Sequence, residues 1–232
     1  MDILKNSQEG ADMIKEIANK IKTIIEQSDD SSGDSEKKIV ILDPSSLTGE
    51  ELEPDTALNT IGLFCDVTEE KVAEIIHGLL YLDNANKHTE KEENKRPIEF
   101  YVSTYGGSAD DMFGLYDVMR NVRKNSEIHT IGVGKVMSAG VLILAGGTKG
   151  KRQIGRNCRV MIHAVMGGNH GSLHNMVNEM EAIEQLQDMY CDALINETNL
   201  TKKQLKKMLE RKVNVYLTAE EAVELGIADI II

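Results

Sequence analysis

The chain has 232 residues, 41% hydrophobic and 28% charged, with a formal net charge of −12 at pH 7. That length and balance suit one large or two small domains with a buried core. The acidity argues against a nucleic-acid surface, which needs a basic stripe, and no run of about 18 apolar residues marks a membrane-spanning helix. The opening, MDILKNSQEGADMIKE, lacks a basic region followed by an apolar one, so no secretory leader is expected. Cys65, Cys158 and Cys191 are widely spaced and suggest neither a disulfide framework nor a zinc site. A cytoplasmic location is the expectation.

Residues 8–27 carry Ile14, Ile17, Ala18, Ile21, Ile24 and Ile25 at helical spacing. SDDSSGDSEKK (28–38) reads as a mobile acidic linker. Residues 1–38 are thus an appendage, and 39–232 the main domain. IVIL (39–42) reads as a short strand, DPSSLTGEELEPD as a loop and TIGLFC (60–65) as a strand. Asp66 with Glu69 resembles a capping box opening a helix that carries Val72, Ile75, Ile76, Leu79 and Leu80. NANKHTEKEENKRP (84–97) reads as a charged loop. IEFYVS (98–103) is a strand ending at TYGG, and the next helix turns Met112, Leu115, Tyr116, Met119 and Val122 inward. IHTIGVG, a helix at Ser138 and the strand RVMIH (159–163) follow. This alternation predicts an α/β fold with a mostly parallel sheet and right-handed crossovers. Helical spacing from Ser172 to Glu197 spans about seven turns, long enough to project or to meet a partner. TAEEAVELGIADIII reads as a short helix, a glycine stop and a last strand.

Two polar residues stand at the ends of apolar segments. Ser138, taken alone, is a helix N-cap. His163, taken alone, is a histidine at the end of a strand, although that edge of a parallel sheet is a usual place for a site. Together they describe chemistry. A serine at a helix start sits at the positive end of the dipole, and the next N–H, that of Ala139, is available to an oxyanion. Gly107, between a strand and a helix, offers a second such N–H, and a glycine there lets a substrate backbone come close. A histidine with an unperturbed pKa near 6.5 suits proton transfer at neutral pH.

Four segments carry a resemblance. FYVSTYGGSADDMFGLYDVM, GVGKVMSAGVLILAGGTKGKR, RVMIHAVMGGNHGS and LTAEEAVELGIADII resemble, in order, segments of the ClpP peptidase family, the proteolytic subunit of the ATP-dependent Clp protease. The resemblance covers roughly residues 58–231 and includes the Ser138-to-His163 spacing. It implies the ClpP/crotonase-like fold, with flanking helices and a projecting handle helix (the handle about 165–197). It implies a serine endopeptidase that degrades unfolded polypeptides inside a chamber. By the same resemblance Ser138 is the nucleophile, His163 the base, and Gly107 and Ala139 the oxyanion hole. Two stacked seven-membered rings and an AAA+ unfoldase are the implied partners. ATP belongs to that unfoldase, and no cofactor is expected in this chain.

The chain departs from the family at the third catalytic position. Counting back from TAEEA, Asn214 stands where the family has Asp; counting forward from His163 gives Lys212, and the nearer anchor favours Asn214. An asparagine accepts a hydrogen bond from histidine but supplies no charge, so a slow or conditionally active peptidase is expected. Val136 and Met137 replace two small residues, which predicts a tighter pocket wall beside Ser138. His170 and His174 lie four residues apart but lack a third metal ligand, so no metal is expected. The alternatives that stay open are a catalytically weak structural subunit of a mixed ring with a second ClpP-type subunit, an acyl-CoA enzyme on the crotonase fold, and a ClpP-like phage capsid-maturation protease.

Overall fold

The computed structural model describes residues 58–89, 92–168, 170–209 and 214–232. The helix expected over 8–27, the linker over 28–38 and the strand over 39–42 lie outside these residues. Asn59–Ile232 forms one compact unit. Its elements are β1 (Thr60–Leu63), α1 (Glu69–Lys87), a 3-10 turn (Glu92–Asn94), β2 (Ile98–Thr104), α2 (Ala109–Val122), β3 (Ile128–Met137) and α3 (Ala139–Ala145). There follow β4 (Gln153–Ile154), β5 (Arg159–Ile162), α4 (Leu173–Glu197), α5 (Lys202–Leu209), β6 (Val215–Leu217), α6 (Ala219–Glu224) and β7 (Ile230–Ile231). The strands order as β1-β2-β3-β4-β7, with β5 on β3 and β6 on β5. Every pairing is parallel except β5 with β6. The result is the mostly parallel sheet with flanking helices that the alternation predicts, in the ClpP/crotonase-like arrangement.

β3 organises the sheet. Its first half pairs with β4 through Ile131 and Gly132, and its last residues, Lys135–Met137, pair with β5. Against β2 the register shifts between Val102 and Thr104, so β3 bends where it passes from one neighbour to the other. Period-two burial of Ile98, Phe100, Val102 and Thr104 turns one face of β2 inward. The α2 residues Met112, Leu115, Tyr116, Met119 and Val122 are buried as their spacing predicts. All seven residues of α3 are buried, so this helix is apolar all round because it sits in the core.

Two expectations need correction. The first helix is capped by Thr68, whose hydroxyl accepts from the Lys71 N–H, and not by Asp66. Val67 holds the chain extended: its N–H donates to Gly106 O at 2.8 Å, and its carbonyl accepts from Ser108 N–H at 3.0 Å. Val72, Ile75 and Leu79 are buried and Ile76 half-buried, while Leu80 is exposed. And α1 continues through 84–87, read from sequence as loop. Asp83 and Asn86 point inward there. Ser126 Oγ donates to Asp83 Oδ1 at 2.8 Å, and Asn86 Nδ2 donates to Ser126 Oγ at 2.9 Å. A satisfied polar cluster replaces the apolar face, so hydropathy gives no sign of the last turn. The structure adds the short elements β4, α5 and β6 to those the periodicity predicts.

The GTKGKR segment ends in Arg152, whose buried guanidinium ties three elements together. Its Nη1 donates to Ala145 O at the end of α3 and to Glu197 O at the end of α4, at 3.3 and 2.7 Å. Its Nε and Nη2 reach Asp229 at 2.8 and 2.5 Å. A cation at two helix C-termini answers both dipoles and their orphan carbonyls. Glu197 in turn accepts from Tyr116 Oη and from Arg123. No helix among the described residues is long and apolar enough to cross a membrane.

Burial works to raise the Asp229 pKa, but the Arg152 bonds outweigh it and hold the carboxyl below its usual range. The depressed group stabilises the fold above its unfolded pKa, and that contribution is lost as pH falls through the lower folded value. Asp229→Ala leaves Arg152 buried without its counter-ion. It is expected to cost ~3–5 kcal/mol in urea denaturation at neutral pH, with a smaller penalty in acid.

Candidate active site

Parallel pairing of β3 with β5 brings the candidate residues together. Met137 is the register partner of Met161, so Ser138 and His163 both emerge at the carboxyl edge, on adjacent strands. The Ser138 N–H continues the ladder by donating to Met161 O at 2.8 Å. In the Nδ1-protonated tautomer of His163, the Ser138 hydroxyl donates to Nε2 at 2.7 Å. Ser138 heads α3 as its N-cap residue but makes no side-chain cap bond. The hydroxyl faces the imidazole instead.

Ser138 also has φ 54° and ψ −123°. Among the described residues it alone takes a positive φ without being glycine. Such a conformation costs of order 1–3 kcal/mol and persists only where neighbours enforce it. A serine on a sharp strand-to-helix turn projects its hydroxyl out of the sheet edge. Space for the turn comes from Gly106, at φ 107°, where a Cβ would lie 2.6 Å from Ser138 Cβ and 3.0 Å from Oγ. Gly107, at φ 151°, presses on Val67, and a Cβ there would fall 2.2 Å from Val67 O. The bridge between these strands uses the N–H groups of Val67 and Ser108. The Gly107 N–H is left out of it, and the Ala139 N–H, in the first turn of α3, has no helical acceptor. Both residues line the same cleft as Ser138 and His163.

That cleft has a volume of about 190 Å³. Its walls include the apolar Met112, Phe113, Val165 and Leu186. Val136 and Met137 are not among them. Strand alternation turns Val136 fully into the core, so the expected narrowing beside Ser138 does not arise from this pair. Two further polar contacts come from α4. Tyr190 Oη donates to Ser138 O at 3.1 Å, and Gln187 Oε1 accepts from the Val165 N–H at 2.7 Å, just beyond His163. In sequence, Tyr190 falls at an ordinary core position and Gln187 on a polar face. Their i, i+3 spacing, which puts both on one side of the helix, was the available signal.

His163 is half-buried, and burial lowers its pKa. The imidazole is therefore neutral, the form a proton acceptor needs. The β5–β6 register runs Val160↔Leu217, Met161↔Tyr216, Ile162↔Val215; one step further sets His163 opposite Asn214. Asn214 is exposed, and its amide donates to Tyr216 Oη over a long 3.5 Å. No hydrogen bond joins Asn214 to His163 among the described residues. Among the described residues no group of three or more His, Cys, Asp or Glu is placed to hold a metal ion. Burial pushes the Cys158 thiol up to about 11 and raises that of Cys191, which keeps both protonated.

The Clp protease family model matches residues 56–232. The chain belongs to the Clp protease family. It is similar to the ATP-dependent Clp protease proteolytic subunit 1 of Prochlorococcus marinus (strain MIT 9312), with 33% identity over 166 residues, 72% of this chain and 80% of the relative. The protein of the same name from Prochlorococcus marinus subsp. pastoris is 32% identical over 72% of this chain and 79% of its own. That of Borreliella burgdorferi is 29% identical over 72% and 80%. Membership places the chain in the peptidase class, and the Ser138 hydroxyl within hydrogen-bond reach of the His163 imidazole is a contact of the kind an activated nucleophile needs.

A titration of His163 by NMR tests the electrostatics directly. The expected midpoint lies below the unperturbed value of about 6.5, and Asn214→Asp is expected to raise it, because a nearby carboxylate favours imidazolium.

Proposed function

We propose that the chain is a serine endopeptidase subunit of a Clp-type ring protease that degrades unfolded polypeptides inside a chamber, slowly or conditionally. The 2.7 Å contact between Ser138 Oγ and His163 Nε2, on a strained strand-to-helix turn, carries this reading. Ser138 Oγ attacks the scissile carbonyl while its proton passes to His163 Nε2. The oxyanion takes hydrogen bonds from the N–H groups of Gly107 and Ala139. The tetrahedral intermediate then expels the amine, which leaves with the proton from His163. Water, deprotonated by His163, releases the acyl group and restores Ser138.

Asn214 is the third member of this site, facing His163 by strand register. It orients the ring at most, since it has no charge to offer the imidazolium. The corresponding Asp-to-Asn change in a Ser-His-Asp triad lowers kcat by about 10⁴, or ~5 kcal/mol of barrier. A depressed His163 pKa adds to the difficulty, because a weaker base takes the serine proton less readily. Around this site the reading places a cytoplasmic assembly of seven-membered rings stacked in pairs. An AAA+ unfoldase spends the ATP, and the chain itself uses no cofactor. The exposed Asn214, without a bond to His163, favours a second reading: a catalytically weak structural subunit of a mixed ring, beside a fully armed ClpP-type subunit.

A fluorophosphonate probe and a short fluorogenic peptide separate the two. In the peptidase reading the probe labels the wild type and not Ser138→Ala, and Asn214→Asp raises peptide turnover at least tenfold. Absence of labelling in every form supports the structural reading. The pH profile has a defined sign. Wild-type kcat/KM falls only as pH drops through the lowered His163 pKa, and Asn214→Asp moves that acid limb upward.

A further inference from the structure

The helix α4 has two unlike halves. Its C-terminal third is anchored through buried Tyr190, Ala193, Leu194 and Glu197. Its N-terminal half stands clear of the body, and Leu173, Met176, Val177 and Met180 are 73, 44, 48 and 58% exposed. These four lie at i, i+3, i+4 and i+7, one stripe of a helix about 37 Å long. A stripe of this kind in water is a docking face.

Its electrostatic frame is one-sided. From residue 160 to residue 201 the sequence contains no Lys or Arg. Over the same stretch stand Glu179, Glu181, Glu184, Asp188, Asp192 and Glu197: six acids and no Lys or Arg give −6 of the chain's −12. Glu197 is buried against Arg123. The other five are exposed, and none forms an ion pair with a base among the described residues. Glu184 and Asp188 continue the line of Val177 and Met180 along the helix, so the acids are neighbours of the apolar stripe.

We infer that the free half of α4 docks on a helix of a non-identical chain, apolar along one stripe and bearing Lys or Arg beside it, and not on a second copy of itself. A twofold contact sets the same patch against itself. Here that would bring two acidic surfaces together around two apolar stripes, each with Glu179, Glu181 and Glu184 on the free half and Asp188 just beyond it, and like charges across an interface cost several kcal/mol. A basic partner uses the same apolar contacts and gains attraction. The inference rests on the ring-assembly part of the function proposed above, and not on the chemistry at Ser138. The opposing handle in a stacked pair then belongs to a different subunit.

Salt gives the two kinds of contact opposite signs. The screening length is ~30 Å at 0.01 M and ~3 Å at 1 M. Repulsion between copies therefore fades with salt, and so does attraction to a basic partner. Sedimentation velocity of the full chain reads this. A charge-inverted chain, Glu181→Lys with Glu184→Lys and Asp188→Lys, serves as the basic partner; the sites are exposed, and Lys is a good helix former. At about 0.01 M salt an equimolar mixture is expected to form a species roughly twice the mass of either chain's own assembly, as a closed pair requires. At about 1 M the mixture loses that advantage and the wild type alone gains mass. Met180→Asp in the wild-type chain abolishes the mixed species. The wild-type salt series needs no variant, so misfolding of the inverted chain does not remove the test. A wild type that stacks fully at low salt, with no gain on mixing, overturns the inference and leaves the ring reading standing. Protomer mass in every condition, mixtures included, overturns both.

Discussion

The backbone of Ser138 is the constraint on which the rest of the site depends. A serine at φ 54° is strained, and each surrounding feature reads as a means of enforcing that geometry. The Ser138 N–H is fixed by Met161 O and its carbonyl by Tyr190 Oη and the Val141 N–H. Gly106 supplies the missing Cβ on one side. Below the turn, α3 is buried at every residue and its far end is closed by Arg152. Strain of 1–3 kcal/mol is tolerable only on such a support, since a soft neighbourhood would relax it.

The same support explains why distant segments of sequence have fixed spacing. Arg152 joins the ends of α3 and α4 and reaches Asp229 near the last strand. Breaking any arm would leave a buried guanidinium or helix carbonyls without partners. Such a network adds little net stability over an apolar core, but it fixes one arrangement of the elements it joins. Here that arrangement sets the direction in which α4 leaves the body, and with it the positions of Gln187 and Tyr190 beside the cleft.

Much of this was legible from sequence where apolar periodicity was strong. The α2 face, the long α4 helix and the strand before His163 follow from spacing alone, and the pair Ser138 and His163 stands out because each ends an apolar segment. Legibility failed where polar atoms satisfy one another. Asp83 and Asn86 look like loop residues, yet contacts with the Ser126 hydroxyl and the Arg96 backbone keep them in a helix. It failed again where backbone pairing overrides a side-chain signal. Asp66 has cap chemistry, but the Val67–Gly107 bridge holds the chain extended past it. The roles of Tyr190 and Gln187 need the fold, because only the crossing of α4 over the β3 and β5 ends brings them to Ser138 and to the segment after His163. Val136 misled for a related reason. Proximity in sequence to Ser138 suggested the pocket, and strand alternation placed it on the opposite face.

Charge is missing from one place and concentrated in another. At the site, a neutral Asn214 stands across from His163 by register, and burial depresses the imidazole pKa. On α4, exposed acids run beside and beyond an apolar stripe, none of them in an ion pair among the described residues. The two features lie on separate elements and have independent physical consequences. In the proposed reading the first weakens proton transfer, and the second weakens pairing between copies. A partner chain that brings a carboxylate-armed site of its own and a basic handle would remedy both. Neither defect is corrected by adding more of the same chain, since every copy carries the same Asn214 and the same acidic face.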